Sequence, residues 1–139
     1  MNYQHLESYI AMFERLAPEM LDELGQVVTD DIHFVDPFND VRGFAEMSEI
    51  FVDMYKRTKS PKFVVLDWQV SGVNAYVRWR FTAGLPVLGR FETLGVSHLI
   101  LADDGKIAEH IDYWDSAPIY VRVPLIGRLV KALRSRMAA

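Results

Sequence analysis

The chain has 139 residues, of which 50% are hydrophobic, 12% aromatic and 24% charged. This composition can bury the core of one domain and excludes a wholly disordered chain. The absence of cysteine excludes a disulfide framework, a thiolate zinc site and a cysteine nucleophile. No apolar run approaches the ~20 residues that cross a bilayer, and the start of the chain lacks the features of a secretory signal. We therefore expect a cytoplasmic protein.

The net charge of −4 is unevenly distributed along the chain. Residues 1–115 contain 19 acidic and 10 basic residues, whereas residues 116–139 contain five basic residues and no acidic one. Nucleic-acid binding requires a basic surface, so the acidic body argues against a nucleic-acid partner. The basic C-terminal segment is considered separately below.

The N-terminal part of the chain predicts three helices and one strand. Pro18 suits the first turn of a short second helix, and Gly25 can end it. Residues 27–35 are rich in β-branched side chains and stop at Asp36, which precedes a proline, so they predict a strand. Gly43 opens the third helix. The first helix is indicated by apolar residues at helical spacing, namely Leu6, Tyr9, Ile10, Phe13 and Leu16.

The remainder of the chain reads as strands up to residue 114. Ser60 and Pro61 are expected to close the third helix, after which apolar and polar residues alternate over 64–70. Further strands are predicted over 75–81, 90–101 and 107–114, the last two joined by a hairpin at 103–106. Helices that precede a run of hairpin-connected strands predict an α+β fold with an antiparallel sheet.

Two motifs carry a resemblance to a known superfamily. His33-Phe34-Val35-Asp36-Pro37-Phe38 before Gly43, and Asp104-Gly105-Lys106-Ile107 before Asp112-Tyr113-Trp114, resemble nuclear transport factor 2-like proteins. Within the superfamily they are most similar to ketosteroid isomerases and SnoaL-like polyketide cyclases. The resemblance covers about residues 3–116 and implies a curved sheet wrapped into a cone, closed by the three helices around an apolar pocket. We expect this domain over 1–116 and a basic amphipathic helical extension over 117–139.

The match to ketosteroid isomerases is incomplete at the catalytic positions. Asp36 stands where these enzymes keep their carboxylate base, but Ser97 stands where they keep a protonated carboxylic acid. The position of their oxyanion-hole tyrosine falls at Met12 or Phe13. In these enzymes the carboxylic acid and the tyrosine both donate hydrogen bonds to the oxyanion, and removing one such donor costs about 10²–10³ in rate. Ketosteroid isomerisation is therefore not expected.

The last strand carries the strongest catalytic candidates. Strand periodicity places His110, Asp112 and Trp114 on one face, which the resemblance identifies as the pocket face. SnoaL-like cyclases are similar in using a His and an Asp as acid–base groups, and Asp36 would supply a second carboxylate. The alternatives are a turn cap for Asp36, and a solvent-facing position or structural hydrogen bonds for His110 and Asp112. The expected pocket walls are Tyr9, Phe13, Phe51, Trp79, Ser97 and Trp114.

Cofactors are not expected from the motifs. The His-x-Asp pair offers two metal ligands and no third at a recognisable spacing, so no metal site is predicted. A phosphate-binding glycine loop and a dinucleotide fingerprint are also missing from the sequence. We expect the cone to bind a mainly apolar small molecule, with cofactor-free acid–base chemistry of the isomerase, cyclase or dehydratase type. The alternative is a non-catalytic ligand carrier, or a partner-binding subunit that uses the sheet face and the basic helix.

Two contact surfaces are predicted outside the pocket. The outer sheet face is expected to form a homodimer, with residues 64, 66, 68 and 70 facing it beside Tyr76, Arg78 and Arg80. After Pro124, six apolar residues fall within a helical arc of about 140°: Leu125, Ile126, Leu129, Val130, Leu133 and Met137. That helix either packs on its own domain or a dimer partner, or makes weak contact with an anionic membrane surface through residues 122–137.

Overall fold

The computed structural model describes residues 2–139 and has the helix and strand order that the sequence predicts. Its elements are α1 (Gln4–Glu14), a 3-10 turn (Pro18–Met20), α2 (Leu21–Gly25), β1 (Val28–Val35), β2 (Asp40–Arg42), α3 (Phe44–Arg57), β3 (Lys59–Ser71), β4 (Asn74–Leu85), β5 (Gly89–Leu101), β6 (Ile107–Trp114), α4 (Ala117–Val121) and α5 (Ile126–Met137). The α+β class is confirmed. The short strand β2 is an addition, formed where the chain turns back after Asp36.

The six strands form one sheet in the order β2-β1-β6-β5-β4-β3. All neighbours are antiparallel except β1 and β6, which are parallel. The sheet is therefore mixed, whereas the sequence predicts an antiparallel one. The reason is the length of the connection. The chain passes through β2, α3 and three further strands before β6 returns to the side of β1, and such a crossover allows parallel pairing.

Strand β3 departs from the predicted alternation at a bulge. Val65 pairs with Trp79 and Asp67 pairs with Arg78, which leaves Leu66 as an extra residue between them. The bulge reverses the phase of the strand, so that Phe63 and Val65 pack on the core before it, and Trp68 and Val70 pack on the core after it. The prediction that residues 64, 66, 68 and 70 share the outer face is therefore wrong.

The end of α3 also differs from the expectation. The helix ends at Arg57, and Ser60 and Pro61 already belong to β3. Proline is tolerated there because β3 is at the edge of the sheet, where a missing backbone donor breaks no ladder bond. The helix therefore stops before the two residues that were expected to close it.

The hydrophobic core lies between the N-terminal helices and the inner face of the sheet. Tyr9 on α1 and Phe51 on α3 are buried, as are Val77 and Trp79 on β4 and Leu99 on β5. The alternation of β4 places Tyr76, Arg78 and Arg80 on the other face, where they are exposed. One face of the sheet thus lines an interior and the opposite face remains open.

The C-terminal extension forms two helices instead of one. Gly127, near the start of α5, is buried so close to the backbone of Val121 that an added Cβ would collide with it. Arg122 reaches back to the body, with its guanidinium 2.5 Å from the carbonyl oxygen of Arg90. Among the described residues, no helix is both long and apolar enough to span a membrane.

Candidate functional site

Hydrogen-bonded side chains form a chain across β4, β5, β6 and α1. The indole Nε1–H of Trp79 donates to Ser97 Oγ over 2.9 Å, and the Ser97 hydroxyl donates to Asp112 Oδ1. His110 Nε2 lies 2.6 Å from the same Asp112 oxygen, and the Tyr9 hydroxyl lies 2.6 Å from His110 Nδ1. Strand register explains the central contact, since Ser97 and Asp112 are directly paired residues of β5 and β6.

The donors and acceptors in this chain follow from the chemistry of its members. An ionised Asp112 only accepts, so His110 donates through Nε2, and the Nδ1 of its neutral ring then accepts from Tyr9. Burial raises the pKa of Tyr9 well above its usual value, and the nearby charge of Asp112 raises it further. Tyr9 therefore keeps its proton and acts as a donor. All four hydrogen bonds therefore run towards Asp112, from Tyr9 through His110 on one side and from Trp79 through Ser97 on the other.

The two oxygens of Asp112 have different surroundings. Oδ1 is held by Ser97 and His110, whereas Oδ2 has no hydrogen bond from any residue in the range 2–139. The Asp112 side chain is 14% exposed, while that of His110 is only 2% exposed. Rings of Phe13 and Phe34 flank the imidazole with centroids 5.5 and 4.9 Å away. Asp112 therefore has a free oxygen for a ligand, and His110 has both nitrogens engaged.

Three cavities near Asp112 adjoin one another through shared lining residues. The deepest, about 30 Å³, is lined by Tyr9, His110 and Asp112 and has room for only a water molecule or two. The next, about 80 Å³, is lined by Asp112, Asp36 and Trp114. The outermost, about 390 Å³, is lined by Asp36, Trp114 and Ile119, and its size is typical of small-molecule pockets. The shared walls place both carboxyl groups along one route from the mouth inwards.

Asp36 caps a turn and also lines this route. Its Oδ1 accepts the backbone N–H groups of Phe38 and Asn39, each over 2.7 Å. The Asn39 amide Nδ2 lies 3.1 Å from both carboxyl oxygens. Burial raises the pKa of Asp36 above its usual value, the hydrogen bonds from Phe38 and Asn39 oppose this, and the charge of Asp112 adds to the rise. The two alternatives for Asp36, turn cap and cavity carboxyl, are thus both present in the geometry.

The predicted wall residues surround the same cavities. Tyr9, Phe13, Phe51, Trp79 and Ser97 line the deepest one, and Trp114 lines the two outer ones. Together with Asp36, His110 and Asp112, the structure brings all nine predicted site residues around one route. Their catalytic and binding roles stay predictions.

Sequence reasoning missed two features of the site. Tyr9 was predicted only as a wall, although a buried tyrosine hydroxyl needs a polar partner, and that rule was a usable signal. Phe63 and Phe81 also line the middle cavity, their rings stacked with centroids 4.7 Å apart. Alternation was a usable signal for both, since Phe63 has the opposite phase to Val64 and Phe81 has the same phase as Trp79.

Over residues 2–139, no group of three or more His, Asp or Glu side chains is arranged to hold a metal ion.

Comparisons with known proteins identify the domain. A family model described as the SnoaL-like domain matches residues 9–110, which is well over half of the chain. No curated protein sequence matches this chain.

Solved structures with the same fold are numerous. A SnoaL-like polyketide cyclase candidate from Jannaschia sp. CCS1 superposes with a TM-score of 0.75 at 18% identity, covering 88% of this chain and 92% of that one. A nuclear transport factor 2-like protein of unknown function from Exiguobacterium sp. 255-15 gives 0.69 at 20% identity, covering 81% and 99%. An isomerase candidate of the SnoaL-like family from Agrobacterium tumefaciens strain C58 gives 0.66 at 19% identity, covering 81% and 95%. At these identities the likeness shows the fold alone.

Proposed function

Because the chain belongs to the SnoaL-like domain family, we propose that it binds a mainly apolar small molecule in the cone and moves a proton on it without a cofactor. Similar folds occur in a polyketide cyclase candidate and an isomerase candidate. The proposed reaction is of that type: isomerisation, cyclisation or dehydration of a compound with an acidic C–H beside a carbonyl group. Ketosteroid isomerisation itself is not part of the proposal.

The free oxygen of Asp112 is the observation that carries the proposal. Ser97 and His110 hold Oδ1 and thereby orient the carboxylate, and Asp112 lines the deepest and middle cavities. A base must lie within about 2.6–3.2 Å of the proton it abstracts, and a ligand in the middle cavity can meet that requirement. His110 acts in this scheme as a positioning residue, because the bond from Tyr9 occupies its other nitrogen.

Asp36 is suited to the complementary role of proton donor. Burial raises its pKa above that of a free carboxyl, and it lines the same cavity as Asp112. Two carboxyl groups in different environments within one site are a recurrent arrangement for an acid and a base. We assign Asp112 as the base and Asp36 as the acid.

The proton transfers in this scheme balance within the site. Asp112 Oδ2 takes a proton from the carbon beside the carbonyl, and the electron pair forms an enol as Asp36 protonates the carbonyl oxygen. In an isomerisation of a substrate with a C=C bond next to that carbon, Asp112 returns its proton to the far carbon of the resulting dienol and the enol proton goes back to Asp36. In a cyclisation, the enol carbon attacks a second carbonyl of the same molecule, whose oxygen takes the proton from Asp112 while the enol proton returns to Asp36. In a dehydration, a hydroxyl group on the next carbon leaves as water with the proton from Asp112, and the enol proton again returns to Asp36. No further reactant is needed.

Solvent deuterium exchange of an apolar bicyclic ketone, 2-tetralone, tests the chemistry. We expect the protein in D₂O to accelerate exchange at the carbon beside the carbonyl, and Asp112→Asn to remove about 10²–10⁴ of that acceleration, the range typical of a general base. Asp103→Asn, which changes an exposed aspartate of the β5–β6 hairpin, is the matched control and should exchange like the wild type. Equal exchange rates for the wild type and Asp112→Asn, over a set of such ketones, would contradict the assignment.

A non-catalytic carrier is the second candidate, and the walls of the cavity favour it. The outer and middle cavities are lined mainly by apolar and aromatic side chains, including Ile50, Met54 and Phe81. The same probe separates the two functions. Quenching of tryptophan fluorescence by 2-tetralone without any gain in deuterium exchange would identify a carrier.

A further inference from the structure

Helix α5 carries an apolar stripe that the rest of the described chain does not cover. Leu129 is 72% exposed, Leu133 61% and Met137 81%. Ile126, in the first turn, extends the stripe and is exposed as well, and so is Leu125, which precedes the helix. Three large apolar side chains at helical spacing are thus left in water, although a stripe of this kind normally faces a packed surface.

The helix is attached to the body through a different side. Gly127 packs against the Val121 backbone, and the Arg134 guanidinium lies 3.3 Å from a carboxylate oxygen of Asp115. At about 100° per residue, Leu129 is about 160° and Leu133 about 120° around the helix from Gly127. The contacts that fix α5 therefore turn the stripe away from the protein.

Basic residues border the stripe and fill the opposite side of the helix. Arg136 lies at one edge and Arg134 at the other, with Arg128 and Lys131 on the polar side. Residues 116–139 contain no acidic side chain. Arginine and lysine can lay their apolar stems beside a buried stripe while their charged ends stay in water.

From this combination we propose that α5 binds the surface of an anionic phospholipid bilayer, with the stripe of Leu129, Leu133 and Met137 inserted at the headgroup level. The occupant must accept apolar side chains and also neutralise the bases around them, and an anionic bilayer does both. The same helix of a second copy fits poorly, because pairing two copies would bring basic residues together with no acid between them. The inference is independent of the reaction in the cone.

The acidic charge of residues 1–115 means that binding to an anionic bilayer depends on α5. Residues 1–115 have more acidic than basic residues, so that part of the protein is repelled by an anionic surface. Binding to anionic vesicles must then come from α5 and must weaken as salt screens the charges, since the screening length falls from about 10 Å at 0.1 M to about 3 Å at 1 M.

Vesicle co-sedimentation of the full chain tests the proposal. The probes are phosphatidylcholine vesicles with and without phosphatidylserine, at low and high salt. We expect the protein to sediment with the phosphatidylserine vesicles at low salt and to remain in the supernatant in the other three conditions. Each base near such a surface increases partitioning about fivefold. The variant Arg128→Gln/Lys131→Gln/Arg136→Gln should therefore lose about a hundredfold.

Matched variants separate the tail from the body. Lys56→Gln/Lys59→Gln/Lys62→Gln removes the same charge from exposed positions of the body and should bind like the wild type. Leu129→Ser/Leu133→Ser should abolish binding, whereas Val87→Ser, at a fully exposed valine of the β4–β5 loop, should not. All substituted side chains are exposed, and thermal melting by circular dichroism checks that each variant folds.

Three outcomes would overturn the proposal. The first is a wild-type protein that stays in the supernatant with phosphatidylserine vesicles at low salt. The second is binding that the two tail variants leave unchanged. The third is a wild-type oligomer in vesicle-free buffer that Leu129→Ser/Leu133→Ser dissociates, because the stripe would then be covered by another copy of this chain.

Discussion

At the residue scale, the arrangement of the site depends on how one carboxylate is held. Asp112 receives hydrogen bonds from a hydroxyl and an imidazole at one oxygen, and His110 is itself held by Tyr9. The buried imidazole thus has both nitrogens satisfied, as buried polar groups require. Removing any member leaves a buried neighbour without its hydrogen-bond partner.

Tyr9→Phe tests the hydrogen bond at one end of this series, from the Tyr9 hydroxyl to His110. The substitution keeps the ring but removes the donor to His110 Nδ1, and leaving a buried group unsatisfied costs about 1–3 kcal/mol. Urea denaturation should show a loss of unfolding free energy in this range. Tyr113→Phe, at a tyrosine that is 59% exposed on the outer sheet face, is the matched control and should change the free energy by less than about 0.5 kcal/mol. Equal losses in the two variants would contradict the role of the hydroxyl.

Asp36 predicts a dependence of stability on pH with a definite sign. Because burial raises its pKa in the folded protein, its contribution to stability is fully present below the unfolded value of about 3.9. The contribution is lost as pH rises through the folded value. The unfolding free energy of the wild type minus that of Asp36→Asn should therefore fall over this window. Asp103→Asn corrects for the loss of an exposed carboxyl, and a difference that is flat or rises with pH would refute the prediction.

Part of the hydrogen-bonded series around Asp112 could be predicted from the sequence. Alternation along β6 predicted that His110, Asp112 and Trp114 share a face, and Asp36 before a proline predicted a turn. The partner of the Tyr9 hydroxyl could not be predicted, since Tyr9 and His110 are 101 positions apart in sequence. Their contact arises only when α1 packs over the sheet.

At the element scale, two local departures from regular strands shape the cavity. The bulge at Leu66 reverses the phase of β3, so that Phe63 faces inwards on one side of it and Trp68 on the other. In β5, Gly95 lies opposite Trp79, and a Cβ added at Gly95 would overlap the indole ring. The missing side chain lets the indole lie flat on the sheet, from where its N–H reaches Ser97. Pattern reading from a single strand does not detect such features, because they depend on the neighbouring strands.

A double-mutant cycle tests the contact between Gly95 and Trp79. Gly95→Ala should displace the indole and cost about 1–3 kcal/mol of unfolding free energy, as overpacking typically does. Trp79→Phe removes the part of the ring that the new methyl group would meet, so the double variant should lose less than the sum of the two single losses. Strict additivity, measured by urea denaturation, would show that the two residues do not interact.

At the scale of the whole molecule, the outer sheet face is the largest surface that remains to be explained. Leu94 is 55% exposed and Tyr113 59%, and Tyr76 stacks on His98 with centroids 4.8 Å apart. Arg78 and Arg80 are paired with Asp67 and Glu92 on the same side. Aromatic and apolar side chains next to paired charges have a composition suited to an interface. We retain the homodimer as a proposal, with Trp68 and Val70 removed from it.

Sedimentation at micromolar concentration measures the dimer directly. The wild type should sediment at twice the chain mass of 16.0 kDa, since an interface of standard size is stable at that concentration. Leu94→Asp/Tyr113→Asp should give the monomer, because it places four charges at the centre of a two-fold interface. Val87→Asp, at a fully exposed position in the β4–β5 loop, should remain dimeric. A wild type that sediments only at 16.0 kDa would exclude the dimer.

The fold as a whole was more predictable than its details. The order of helices and hairpins and the two motifs predicted the α+β class and the family, because these signals are local and occur in a fixed order. The parallel pairing of β1 with β6 and the exposed stripe of α5 were not predictable, since each depends on where distant parts of the chain come to lie. The reaction is harder to predict than the fold or these structural details, because one fold supports many reactions.

A crystal structure of the protein soaked with 2-tetralone tests most directly the claim that the cone is a small-molecule site built around Asp112. We expect ring-shaped density that extends from the outer cavity into the middle one, with a ligand atom within about 3.2 Å of Asp112 Oδ2 and Trp114 forming a wall of both cavities. A cavity filled by the protein's own Phe63 and Phe81 side chains, or a ligand bound only elsewhere on the molecule, would contradict it.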